Sequence, residues 1–210
     1  MARFVILLSA LSGICGIGYE LLLIRWLHTA VGHTVAVSAA TVTTFLAGIA
    51  LGALVAHRVA PKLGRVEALG ALTAALIAAF ILVAGVTGLT ALVAPTGVPG
   101  AVAFAIIVSL PLAVVSGIAV PAYAARLSDT TGRSRPRAFL VIYIAYNAIS
   151  ALCAVLIETA LVPDIGLGRA FALLAAVNLV LAFAAGRLPI QRAETMPSDG
   201  PPPAWPVLAA

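Results

Sequence analysis

The sequence predicts an all-α integral membrane protein of about six spanning helices. Three observations carry this: the composition, the length of the apolar runs, and basic residues that gather in alternate connections. Of 210 residues, 63% are hydrophobic and 9% are charged. Soluble domains carry about 25% charged residues. A water-soluble fold this apolar would lack the polar surface to cover itself, and a bilayer removes that need. The same composition excludes a nucleic-acid-binding role for the net charge of +5, because the basic residues sit in short connections and not on a soluble basic domain.

A spanning helix takes about 20 apolar residues. The first run is Phe4–Leu27. It follows Met1-Ala2-Arg3 and imitates a signal peptide, but it exceeds an h-region and no A-x-A-like site ends it. It is expected to stay as an uncleaved helix. The others are Thr34–Ala56, Leu69–Val93, Ala101–Ala124, Phe139–Val162 and Ala170–Gly186. Pro95 to Gly100 separates the third from the fourth, and Pro163-Asp164-Ile165-Gly166 the fifth from the sixth. Pro111, Gly117 and Pro121 are expected to break or kink the fourth helix. Residues 1–187 thus form a six-helix transmembrane domain. Residues 188–210 form a Pro-rich tail, expected to be disordered and cytoplasmic, with Trp205 as a lone aromatic.

Orientation follows from the bias of Lys and Arg toward cytoplasmic connections. Arg58, Lys62 and Arg65 occupy the loop after the second helix, and Arg126, Arg133, Arg135 and Arg137 the loop after the fourth. Arg3, Arg187 and Arg192 share their side if six helices alternate, and Arg25 and Arg169 lie opposite. Both termini are expected in the cytoplasm, and the membrane is the plasma (inner) membrane. Arg133, Arg135 and Arg137 either fix topology alone or also dock a partner.

Lipid tails do not drive helices together, so small residues mark the contacts. Thr44, Gly48, Gly52 and Ala56 recur every four residues, a face for packing within the chain or for a homodimer. Ser9, Gly13 and Gly16 lead to Glu20 on the first helix, and Tyr143, Asn147, Ser150, Ala151 and Ala154 lead to Glu158 on the fifth. Carboxylates in spanning segments are costly and suggest function. Glu20 and Glu158 are expected to form an outward-facing acidic pocket with Tyr19, Asn147 and Asn178, or ion pairs with Arg25. His28 and His33 are assigned to the outer loop, where they lack a third ligand for a metal. Cys15 and Cys153 are expected as buried small side chains. No nucleotide or zinc motif is present, so neither cofactor nor metal is expected.

One set of residues resembles a known family. Gly18-Tyr19-Glu20, Ile24-Arg25-Trp26-Leu27, Val31-Gly32-His33-Thr34 and Phe45 to Gly52 are similar to the membrane domain of spermidine synthase-like proteins. Leu110-Pro111, Gly117, Val120-Pro121, Tyr146-Asn147 and Pro163 to Leu167 extend the resemblance over about residues 10 to 185. Ser150 and Ala154 stand where that family favours glycine, and Glu158 has no counterpart in its pattern. In that family the membrane helices are fused to a soluble aminopropyltransferase-type domain. The resemblance implies a fold like half of a major-facilitator-type transporter, built from two three-helix repeats. Residues 188–210 cannot hold the soluble domain, so no aminopropyl transfer is expected of this chain alone. Two functions follow: a non-catalytic membrane module that anchors a soluble aminopropyltransferase-like partner, or a small transporter for a cationic solute such as a polyamine.

Overall fold

Inside a bilayer no water is at hand for backbone N–H and C=O groups, so a spanning segment must bond them internally, and helices do this. The computed structural model of the chain describes residues 1–31, 35–87 and 97–188. Among these the elements are α1 (Ala2–Val31), α2 (Val35–Val59), a 3-10 turn (Ala60–Lys62), α3 (Leu63–Thr87), α4 (Gly97–Thr131), α5 (Arg135–Leu156) and α6 (Leu167–Gly186). A π turn (Ile157–Leu161) and a last α-helical turn (Val162–Ile165) prolong α5. No strand occurs among the described residues. The protein is all-α and multi-pass: five stretches of the described chain are long and apolar enough to cross a membrane.

One of those stretches, Val35–Val83, is 49 residues long and contains α2 and α3 as far as Val83. It folds back on itself at the 3-10 turn. Alongside α4, α2 runs in the same direction: Gly48 lies against Ala113, and Gly52 against Val114 and Gly117. The opposite holds for α3, with Glu67 meeting Tyr123 and Gly70 meeting Val115. Pro61 in the turn has no N–H and ends the α-helical ladder. The Arg126 guanidinium of α4 donates to the Pro61 carbonyl at 3.0 Å and ties the turn to α4.

The expected face of α2 is observed. Thr44, Gly48, Gly52 and Ala56 are all buried, and α4 covers them within the same chain. A homodimer through Gly48 and Gly52 therefore has no free surface there. At the crossing, a Cβ on Gly52 would collide with the Val114 carbonyl, and one on Gly117 with the Ile49 backbone. Close helix approach needs glycine at both positions. Gly13 and Gly16 play the same part between α1 and α5, against Tyr146 and Ser150.

Several boundaries differ from expectation. Pro111 and Pro121 do not break α4, which continues through both. Pro163 does not separate the fifth and sixth helices. It lies inside the last turn of the fifth, and the chain breaks at Gly166, where φ is +79°. A proline ring clashes with the carbonyl four residues back. The π turn at Ile157–Leu161, just ahead of Pro163, widens the helix where that carbonyl would sit. The tail beyond Leu188, with Arg192 and Trp205, lies outside the described residues, as do His33, Pro95 and Thr96, while Gly97 to Gly100 of that expected break belong to α4.

The end of the bundle nearest Arg25 is closed by aromatic contacts. The Trp26 ring meets Phe80 edge-on and Phe104 at a tilt, each with centroids 5.7 Å apart. This one side chain thereby joins α1, α3 and α4.

Replacing Gly52 with leucine should lower the melting temperature in detergent markedly, since overpacking a filled interior costs about 1–3 kcal/mol. The control is Leu54→Ala, because Leu54 is 70% exposed. Equal melting of the Gly52→Leu and Leu54→Ala variants would contradict the α2–α4 contact.

Candidate functional site

Along α3, Leu63, Val66, Glu67, Gly70, Ala71, Ala74 and Ala78 are buried. These positions recur at three and four residues and form one stripe turned to the bundle interior. Glu67 falls on that stripe, and it is 3% exposed. A carboxylate in such a place requires donors, because burying it unpaired is very costly. Tyr123 of α4 donates its hydroxyl to Glu67 Oε1 at 2.9 Å, and Ser12 of α1 lines the same small cavity. Among the described residues no lysine or arginine forms an ion pair with Glu67.

Next to this carboxylate lies a second polar group. Asn178 of α6 is 2% exposed. Its Nδ2 donates to the Tyr19 hydroxyl at 3.2 Å, and Tyr19 donates to the Leu174 carbonyl at 3.2 Å. The Cys15 thiol reaches the same carbonyl at 3.7 Å. Tyr19 is held in place by stacking on Phe171, with centroids 6.3 Å apart. Gly70 makes the room: a Cβ there would lie 2.8 Å from Asn178 Nδ2 and 2.9 Å from Val115. Asn178 Oδ1 is buried and has no hydrogen-bond partner among the described residues. Together Ser12, Cys15, Gly16, Tyr19, Glu67, Ser116 and Asn178 surround one small cavity between α1, α3, α4 and α6.

Tyr19 and Asn178 were both expected at a polar site, and the structure joins them, but around Glu67 and not around Glu20 and Glu158. Glu158 is held by Arg25 in an ion pair whose side chains are 35% and 44% exposed. Glu20 is half-buried and makes no ion pair among the described residues. Asn147 is exposed, with its side chain bonded back to the Tyr143 carbonyl at 2.8 Å. Ser150 packs against Gly13, and Ala154 is half-buried.

Two groups leave the loops to which the sequence assigned them. Arg126 belongs to α4, is 6% exposed and holds the 3-10 turn. His28 lies within α1, and its Nε2 meets Ser38 Oγ of α2 at 2.6 Å. Arg58, Lys62 and Arg65 follow one another from the end of α2, through the turn, into α3. Arg133 precedes α5, and Arg135 and Arg137 fall in its first turn. All six are exposed. Cys15 is buried and Cys153 half-buried, both as free thiols. No group of three His, Cys, Asp or Glu side chains is placed to hold a metal among the described residues.

Glu67 was missed because it stands only two residues after Arg65, at the edge of a basic connection, where charge is ordinary. The signal was its spacing. It lies four residues from Leu63 and from Ala71, on an apolar stripe.

Comparison of the chain with protein-family models, curated proteins and solved structures found no match.

Tyr123→Phe should destabilise the protein by about 1–3 kcal/mol, since it leaves a buried carboxylate short of a donor. Thermal melting in detergent checks this, and melting like the wild type would contradict the hydrogen bond. Arg25→Gln should change stability by about 1 kcal/mol or less, because the pair it breaks is half-exposed. A failure to fold would contradict that placement.

Proposed function

We propose that the protein is a six-traversal module of the plasma (inner) membrane, with both termini in the cytoplasm. In this reading it carries no catalysis of its own and assembles with a soluble partner through its basic end. The observation that carries the reading is the gathering of cations at one end of the bundle. Arg126 bonds to Pro61, His57 and Arg135 line one groove, and Gly64 touches Gly186. These contacts bring Arg58, Lys62, Arg65, Arg133, Arg135, Arg137 and Arg187 together, with Arg3 at the start of α1 on the same side. Arg25 and Arg169 stand at the opposite end. Such asymmetry marks a cytoplasmic face. Asp129 is the one exposed acid near that basic end among the described residues, so the face is strongly positive and suits an acidic protein surface.

The six-traversal count takes the two arms of Val35–Val83 separately. Two three-helix repeats also belong to the reading, and the pattern of packing supports them. Exchanging α1, α2 and α3 with α4, α5 and α6 turns the α2–α4 contact into α5–α1, and the α1–α6 contact into α4–α3. The α1–α4 and α3–α6 contacts map onto themselves. Close contacts fall in corresponding places, Gly48 and Gly52 of α2 against α4 and Tyr146 and Ser150 of α5 against Gly13 and Gly16 of α1. Repeats of three helices carry opposite orientations, an arrangement found in secondary transporters. That is a likeness of architecture and not of activity.

The partner that fits the sequence resemblance is a soluble aminopropyltransferase-like protein. Transport of a polyamine through Glu20 and Glu158 is less favoured, because Arg25 already neutralises Glu158.

Reporter fusions after Leu188 and between Arg133 and Ser134 should both report cytoplasm, and a periplasmic signal from either would contradict the orientation. Co-expression with a soluble aminopropyltransferase-like protein should give co-purification. Charge reversal of Arg133, Arg135 and Arg137 together should weaken it at least tenfold. Retention unchanged by the reversal would reject the basic end as the docking face.

A further inference from the structure

Independently of any partner, the cavity beside Glu67 has the makings of an ion site. It has room for about one water molecule. Oxygen atoms dominate its polar lining: the Glu67 carboxylate, the Asn178 amide and the hydroxyls of Ser12, Tyr19 and Ser116. Hard oxygen donors of this kind suit alkali or alkaline-earth cations and not soft metals. One carboxylate supplies one negative charge, which matches a monovalent ion. The size of the cavity matches a sodium-sized ion and excludes an organic ammonium.

The hydrogen bonds leave oxygen atoms that a cation can meet. Tyr19 gives its proton to Leu174, and Asn178 Nδ2 gives one of its protons to Tyr19. Glu67 takes a proton from Tyr123, and Ser12 stands at the same cavity. Asn178 Oδ1 receives none. A proton on Glu67 would remove its charge and leave one O–H to donate to a single acceptor. A cation in the cavity satisfies the carboxylate and the amide oxygen together, and it compensates a charge that no lysine or arginine pairs among the described residues. The other titratable groups near the carboxylate are Tyr19, Cys15, Tyr123 and Tyr146, none of them positively charged.

We propose that Glu67, Asn178 and the hydroxyls of Ser12 and Tyr19 bind one desolvated monovalent cation of sodium's size between α1, α3, α4 and α6. The ion joins four helices at the centre of the bundle.

The test is equilibrium binding of radioactive sodium to the purified full chain in lipid nanodiscs, with choline chloride holding the ionic strength. The wild type should bind saturably, with one ion per chain, and potassium should compete at least tenfold less well. Glu67→Gln should abolish binding, and Asn178→Ala should weaken it at least tenfold. If Glu67→Gln does not fold, Asn178→Ala and Ser12→Ala carry the test, and unchanged sodium affinity in both overturns the site. Absence of saturable binding by the wild type also overturns it. So does a melting temperature that follows pH while ignoring sodium, which would assign a proton to the carboxylate in place of a metal ion.

Discussion

The reversal of the chain at Ala60–Lys62 is the constraint on which the rest of the bundle depends. Three residues turn a 49-residue apolar stretch back along itself. The hydrogen bond from Arg126 to the Pro61 carbonyl fixes that turn against α4. Once the turn is fixed, α2 and α3 must flank α4 in opposite directions. The glycine contacts at Gly48, Gly52 and Gly117 then bring α2 close. The other arm brings Glu67 under Tyr123. Neither arrangement is open to a straight helix.

The interior follows the same logic. Hydrocarbon gives helices no reason to associate beyond packing and hydrogen bonds. Small residues supply the first at the α2–α4 and α1–α5 crossings. The Ser12, Tyr19, Glu67, Tyr123 and Asn178 network supplies the second at the middle, where α1, α3, α4 and α6 meet. Polar groups in such a place hold the helices in one register, because any slip would leave them without partners. Outside this centre, Arg25 and Glu158 pair α1 with α5 at the exposed rim, and Asn147 bonds within its own helix.

Much of this was legible in the sequence, for definite reasons. Apolar length and the small-residue stripe of α2 report directly on bilayer thickness and helix contact, and both can be found without knowing the neighbours. The place of Arg126 could not be found in that way, and Glu67 offered only its spacing on the stripe of Leu63 and Ala71. Each stands beside a run of basic residues that reads as a connection, and each is drawn inside by a partner distant in sequence, Pro61 for the one and Tyr123 for the other. Glu20 and Glu158 attracted attention because they interrupt long apolar runs. Which acid reaches the centre depends on which helices are neighbours, and one chain read by periodicity does not carry that information. The prolines misled for a related reason. Pro111 and Pro121 remain inside α4, and the π turn ahead of Pro163 absorbs its ring.

The most direct test of the reversal is a distance across it. Spin labels at Val35 and Val83, in a chain with Cys15 and Cys153 replaced by alanine, would be read by pulsed electron resonance in nanodiscs. A continuous helix at about 1.5 Å per residue would hold the two positions about 70 Å apart. A chain that turns back at Ala60–Lys62 brings both to the same end of the bundle, at well under half that separation. A narrow distribution at the short distance is the expected result. A distribution centred near the longer one would contradict the hairpin and, with it, the burial of Glu67 among α1, α4 and α6.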